Sequence, residues 1–232
     1  TNNTELEKLI ANIRNGSVSR TNQRRQLDLL QEFNRQHLEK RGHDPQLESR
    51  IQSFELSYRM QRDAEDAFDV SREPKHIQDA YGPGVQARQI LIARRLIERG
   101  VRMVQLWHGA GQPWDNHSNL GTTLPSICRR TDKPSAALVT DLKQRGMLDE
   151  TIVHWGGEIG RLPVTQNQGS PEKHGRDHNG QGFSIWMAGG GFKPGMTYGT
   201  TDEFGHRAVE NIVTPNDYQA TLLHLFGLDV NE

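Results

Sequence analysis

The sequence predicts an α/β fold, a parallel sheet flanked by helices and preceded by a helical segment. Two observations carry that expectation. From residue 85 onward short β-rich runs alternate with helical patterns, the arrangement produced when helices connect parallel strands. Before it, from Thr4 to about Phe68, the chain is polar and poor in glycine turns, and its apolar residues recur at helical spacing. The break between the two textures falls at Tyr81-Gly82-Pro83-Gly84. A helical segment is therefore expected over residues 1–80 and the α/β part over 81–232.

Taken in order, Leu6, Leu9, Ile10 and Ile13 form a first helical face, and Leu27, Leu30, Phe33 and Leu38 form a second. Asp44-Pro45 starts a third helix, with the aspartate as N-cap and the proline at the first helical position, and Leu47, Ile51, Phe54 and Leu56 are its expected buried stripe. His37 and His43 fall at helix ends and read as solvated side chains. The helical pattern resumes from Val85 to Arg99, with Ile90, Leu91, Ala93, Leu96 and Ile97 inward, and Gly100 ends it. Val101 to Trp107 alternates as a first strand. Leu124 to Arg145 reads as a helix closed by Gly146, Thr151 to Trp155 as a second strand and Phe183 to Ala188 as a third. His154 and Trp155 are expected to be structural, in a strand covered on both faces. Gly189-Gly190-Gly191 follows a strand as phosphate loops do, but it lacks a Gly-Lys-Ser/Thr ending and Pro194 comes too soon for a helix to start there. That run is expected to serve the backbone.

Lys and Arg total 28 and Asp and Glu 29, for a formal net charge of −1. This balance argues against general affinity for nucleic acid or anionic membranes, so any phosphate or sulfate binding has to be local. The one cysteine, Cys128, leaves no disulfide within the chain and does not discriminate between compartments. No apolar run approaches the roughly 20 residues that span a bilayer, so no membrane insertion is expected. Thr1-Asn2-Asn3-Thr4 does not resemble a signal peptide, and a start without methionine ahead of a helical pattern suggests a processed protein or a piece of a longer one.

In open α/β sheets ligands bind beyond the carboxyl ends of the strands. Three clusters fall there. Trp107-His108-Gly109 and Trp114-Asp115-Asn116-His117 follow the first strand, Gly156-Gly157-Glu158-Ile159-Gly160-Arg161 follows the second, and Gly175-Arg176-Asp177-His178-Asn179 lies in the loop that leads to the third. Imidazole favours zinc and other transition metals, whereas carboxylates suit magnesium, calcium or manganese. Each cluster also has a plain structural reading. Asp115 and His117 would make a turn and a cap, Glu158 and Arg161 an ion pair that pins a loop, and Asp177-His178 a surface turn.

These stretches, together with Leu148 to Pro163, Ala188-Gly189-Gly190-Gly191-Phe192, Tyr198-Gly199-Thr200-Thr201-Asp202-Glu203 and the ending Asp217 to Asp229, resemble the bacterial sulfatase-like domain of unknown function 1501 family, within the alkaline phosphatase superfamily. The likeness covers most of Tyr81 to Asp229. It implies an alkaline-phosphatase-like parallel sheet flanked by helices, with residues 81–232 as the carboxyl-terminal part of the domain and 1–80 as an insertion or subdomain. Superfamily hydrolases carry a first-strand aspartate and a nucleophile near the domain's amino terminus. Residues 1–99 read as helices without such a strand, so the fold is expected to be incomplete on that side and the chain inactive on its own.

Carried over by position, the resemblance implies Asp115, His117 and His178 as ligands of one divalent metal, which is zinc, manganese, magnesium or calcium. Glu158 takes the place of a second-metal carboxylate, but Ile159 stands where a histidine would be expected. Asp177 would bind metal or, like His108, orient a ligand histidine, while Arg161 and Arg176 would steady an oxyanion. The implied substrate is a phosphate or sulfate ester, on a small molecule or a glycan, and the implied location is periplasmic or secreted. Two alternatives stay open: a sulfatase-like protein that binds metal, glycan or protein without catalysis, and a helical interaction module in residues 1–70.

Overall fold

The computed structural model describes residues 6–11, 13–42, 44–166 and 169–229, so His43 and the first five residues, with Thr1-Asn2-Asn3-Thr4 among them, lie outside the described residues. The fold is mixed α/β. Its helices are α1 (Leu6–Leu9), α2 (Arg20–Arg41), α3 (Pro45–Phe68), α4 (Lys75–Tyr81), α5 (Val85–Glu98), α6 (Leu120–Gln144) and α7 (Pro215–Leu225). Its strands are β1 (Val153–Trp155), β2 (Gly160–Arg161), β3 (His178–Asn179), β4 (Trp186–Ala188), β5 (Thr200–Thr201) and β6 (Ala208–Glu210). The chain divides into two compact units, one of Thr1–Pro74 with Arg95–Val104 and the other of Lys75–Arg94 with Gln105–Glu232.

In the first unit the helix starts follow their caps. Asp44 accepts from the backbone N–H groups of Gln46 and Leu47 with Pro45 at the first position, and Ser19 accepts from Asn22 N–H ahead of α2. Helices α2 and α3 are joined by polar contacts: Arg24 forks onto Glu55 at 2.7 and 2.8 Å, and Gln23 meets Gln61 at 3.3 Å. The expected buried stripes of α2 and α3 form only in part, with Leu27, Leu47 and Ile51 half-buried. Phe33 is 56% exposed and Phe54 62%, and Leu30, Leu38 and Leu56 are also exposed. Polar side chains join the two helices, and the larger apolar side chains of the stripes stay open to solvent. Arg95 pins the end of α3, donating to the carbonyls of Ala67 at 3.0 Å and Asp66 at 2.6 Å and pairing with buried Glu73.

The second unit has its core where α4 packs on α6, with Ile77, Tyr81, Ile127, Thr131 and Leu142 buried. Asp141 is the polar centre of that core. Its carboxylate accepts from the Tyr81 hydroxyl at 3.0 Å and from Arg145 at 2.7 Å and pairs with buried Arg94 at 3.0 Å. Burial, and next the Asp141 charge, push the Tyr81 phenol's pKa up. Gly100 and Gly146 close α5 and α6 at φ 84° and 70°, as their positions in the sequence predict.

The sheet architecture differs from the expected one. Strand β1 pairs with β4, β2 with β3 and β5 with β6, and every pair is antiparallel. Residues 101–107, the expected first strand, form no strand, and Met103 and Trp107 are 80% and 75% exposed. A β-prone run becomes a strand through its pairing, and this one has no partner among the described residues. Strand β1 is paired with β4 but is not covered on both faces as expected: His154 and Trp155 are exposed, with His154 lying 5.5 Å from the Tyr218 ring. Gly189, Gly190 and Gly191 all have positive φ, and a Cβ on Gly189 would stand 2.2 Å from the Leu148 carbonyl oxygen. The run turns the chain tightly back over residues 148–152 and serves the backbone. Among the described residues no helix is long and apolar enough to cross a membrane.

Candidate metal centre

Two loops of the second unit meet at the candidate site because a glycine lets their backbones touch. Arg176 N–H donates to the Asn116 carbonyl at 3.0 Å, and Leu120 N–H donates to the His174 carbonyl at 2.9 Å. Between these bonds lies Gly175, where a Cβ would fall 2.0 Å from the carbonyl carbon of His117. Any side chain there would force apart the loops that carry His117 and His178. Asn116, buried beneath, holds its own loop by accepting from the Thr123 hydroxyl at 2.5 Å.

The β2–β3 pair supplies the other half. Its register sets Arg161 opposite His178, and neighbouring residues opposite one another in an antiparallel pair hold their side chains close. Asn179 anchors the pair through a 2.7 Å bond to the His206 carbonyl, and Gly160 leaves room for the carbonyl of Gly182.

Asp115, His117 and His178 come together. Their ligand atoms all lie within 4.8 Å of one another, and among the described residues no other His, Cys, Asp or Glu side chains form such a group of three. His117 Nε2 and His178 Nε2 each stand 3.0 Å from Asp115 Oδ1, and the two rings are 5.0 Å apart. Arg161 Nη2 reaches the same oxygen at 2.5 Å. The hydrogen bond from His178, and next that from Arg161, hold the Asp115 carboxyl down at about 2. The cluster is open to solvent on the His178 side, where the ring is 49% exposed.

His117 Nδ1 lies 2.7 Å from Gln166 Oε1. With the amide oxygen as acceptor, the ring hydrogen sits on Nδ1 and Nε2 turns a lone pair toward Asp115. Two acceptors 3.0 Å apart attract only with a proton or a cation between them. The donor set of two imidazole nitrogens and one carboxylate oxygen, with one imidazole hydrogen held from behind by an amide, therefore fits a divalent transition metal. A tetrahedral site with bonds of roughly 2.1 Å sets its ligand atoms about 3.4 Å apart, a few tenths of an ångström wider than the two 3.0 Å distances from the histidines to Asp115.

A family model matches residues 2–232 of the chain. The chain belongs to the family described as Protein of unknown function (DUF1501). No curated protein and no solved structure matches it.

The remaining candidate residues of this DUF1501 chain occupy other positions. Glu158 is exposed on the loop after β1 and stands outside the group of three, and Arg161 pairs with Asp115 rather than with Glu158. Asp177 accepts from the His178 backbone N–H at 2.8 Å and comes no nearer His117 than 3.8 Å at Nδ1. Arg176 uses its guanidinium to hold the loops, donating to the Leu162 carbonyl at 2.8 Å. His108 accepts from the Trp114 indole N–H at 3.0 Å and belongs to an aromatic row in which Trp114 meets Trp155 edge-on and Trp155 lies over Trp186. Burial, then Arg130, lower the His108 pKa, in keeping with the neutral ring that such a bond requires. Gln166 is the residue that sequence reading missed. It lies in a polar loop with no spacing signal, and a glutamine there reads as solvated.

Proposed function

We propose that the chain holds a divalent metal ion on Asp115, His117 and His178 and that the site serves the hydrolysis of a phosphate or sulfate ester, in the manner of the sulfatase-like hydrolases of the alkaline phosphatase superfamily. The observation that carries this reading is the meeting of Asp115 Oδ1 with two imidazole Nε2 atoms, delivered by loops 63 residues apart in the chain. Two imidazoles favour zinc over manganese, magnesium or calcium. A bound ion would polarise the ester and activate the attacking hydroxyl group.

The protein groups have separate tasks in this reading. Asp115 and the two histidines fix the ion's position, and Gln166 holds His117 in the ligating tautomer. Arg161, next to the open side, meets the charge that develops on the ester oxygens, a kind of stabilisation that is strong where donors are already in place. Arg176 keeps the two loops in register. The substrate is a small molecule or a glycan ester. An alkaline-phosphatase-like sheet, of which these residues form the carboxyl-terminal part, and an exported location belong to the same proposal.

A second reading, a metal-dependent binding protein without catalysis, is favoured by one observation. Glu158, which takes the place of the superfamily's second-metal carboxylate, stands apart, and Ile159 follows it where a histidine would be expected. Metal content and turnover decide between the two. The full-length protein is expected to retain about one zinc per chain after dialysis and to turn over an aryl phosphate or aryl sulfate in a chelator-sensitive way, with both properties lost in His178→Ala. Retained metal without turnover of either ester supports the binding reading. A wild-type protein that retains and binds no divalent metal overturns both.

A further inference from the structure

Three nitrogen atoms crowd one carboxylate oxygen. Asp115 Oδ1 has Nε2 of His117 and Nε2 of His178 at 3.0 Å and Arg161 Nη2 at 2.5 Å. Two of the three can share a metal with Asp115. The third cannot, because a guanidinium is always protonated and offers donors only. Arg161 thus engages the same oxygen that a cation held with the two histidines would need, with its own positive charge.

We propose that Arg161 is a place-holder that metal binding converts into an anion-binding group. Without metal it neutralises Asp115. When a divalent cation takes Oδ1, like charges on one oxygen repel and the guanidinium gives up that oxygen. Its backbone stays where it was, on β2 opposite His178, so the fork remains beside the site. Arg161 Nη1 also lies 3.5 Å from the Arg176 carbonyl, a second acceptor that keeps the side chain at the rim. The group released there is a planar fork that matches two oxygens of a tetrahedral oxyanion.

The charge balance points the same way. Asp115 and Arg161 cancel, so adding a divalent cation leaves two positive charges uncompensated at an open face. An oxyanion such as phosphate or sulfate restores neutrality. Metal and anion are then coupled, and the coupling is reciprocal: each raises the affinity of the other by the same factor, of the order of 5- to 150-fold. This inference rests on the metal reading above and adds to it that the anion site exists in full only in the metal-loaded protein.

Calorimetry on the wild-type chain, Arg161→Gln and Arg161→Lys tests it, with zinc alone and then with inorganic sulfate in the presence and absence of zinc. Sulfate should bind the zinc-loaded wild type at least about fivefold more tightly than the zinc-free protein. Arg161→Gln should bind zinc alone more tightly than wild type, because Oδ1 is no longer occupied, and should lose most of the zinc-dependent gain in sulfate affinity. Arg161→Lys keeps the charge without the fork, so it should bind zinc like wild type and recover only part of the sulfate gain. A zinc-loaded crystal structure should show the guanidinium away from Asp115.

If the wild type binds no zinc, the metal reading fails and this inference fails with it. If zinc binds but Arg161→Gln matches wild type in both titrations, or Arg161 still bonds Asp115 in the loaded structure, only the place-holder proposal is overturned.

Discussion

Asp115 concentrates the chemistry of the site on one atom, and its ionisation follows from its neighbours. His178, then Arg161, hold its carboxyl at about 2, below the ordinary 3.8. A folded-state value below the unfolded one means that these contacts stabilise the site fully above the ordinary value and are lost as pH falls through about 2. A carboxyl carbon titration by NMR should show that low midpoint, and His178→Ala should raise it. A midpoint at the ordinary value would show that the contacts do not form in solution. Gln166 is the second residue with a defined consequence. If its amide oxygen fixes the His117 tautomer, Gln166→Leu should weaken zinc binding by about 10- to 100-fold while leaving the helical circular dichroism unchanged. An unchanged zinc affinity would reduce Gln166 to a loop residue.

At the scale of elements, the site depends on two close approaches. The β2–β3 register places Arg161 against His178, and the contact of the 173–176 segment with the 116–120 segment places His117 beside them. Gly175 permits the second approach, since a Cβ would stand 2.0 Å from His117 backbone. Gly175→Ala should therefore abolish zinc binding in a protein whose α4 and α6 remain folded, a result that amide exchange and calorimetry together would establish. Retention of wild-type affinity would show that the loops can shift at no cost. Element ends were legible in the sequence because caps act locally: Asp44-Pro45, Gly100 and Gly146 stand where their helices begin and end. The strands were not. The runs at 101–107 and 151–155 have the same β-prone character, yet β1 forms with β4 as its partner and the other run stays without strand structure.

For the whole molecule, ligand linkage gives the clearest expectation. A metal that binds the folded second unit and not the unfolded chain should stabilise that unit by about 2.7 kcal/mol at a zinc concentration of 100 times Kd. Chelator should remove the gain, and His178→Ala should not show it. Thermal melts of wild type and variant with and without zinc make the comparison, and equal midpoints with and without zinc in the wild type would count against the metal site. The formal charge of −1 gives the chain no net basic excess, and zinc-dependent anion affinity should trace to Arg161 and its surroundings.

The sequence by itself determined the helical character of residues 20–41 and 45–68, the helix ends at Asp44-Pro45, Gly100 and Gly146, the structural use of Gly189 to Gly191, the family, and three residues, Asp115, His117 and His178, whose side chains suit a divalent metal. These follow from local backbone preferences, from side-chain chemistry and from motif likeness, all of which are properties of short stretches. The tertiary structure decided which candidates meet. It left Glu158 outside, gave Arg161 to Asp115, put Gln166 behind His117 and set the strands antiparallel. Those outcomes depend on how distant loops and strands pair in space, and spacing along the chain carries no information about distances across it.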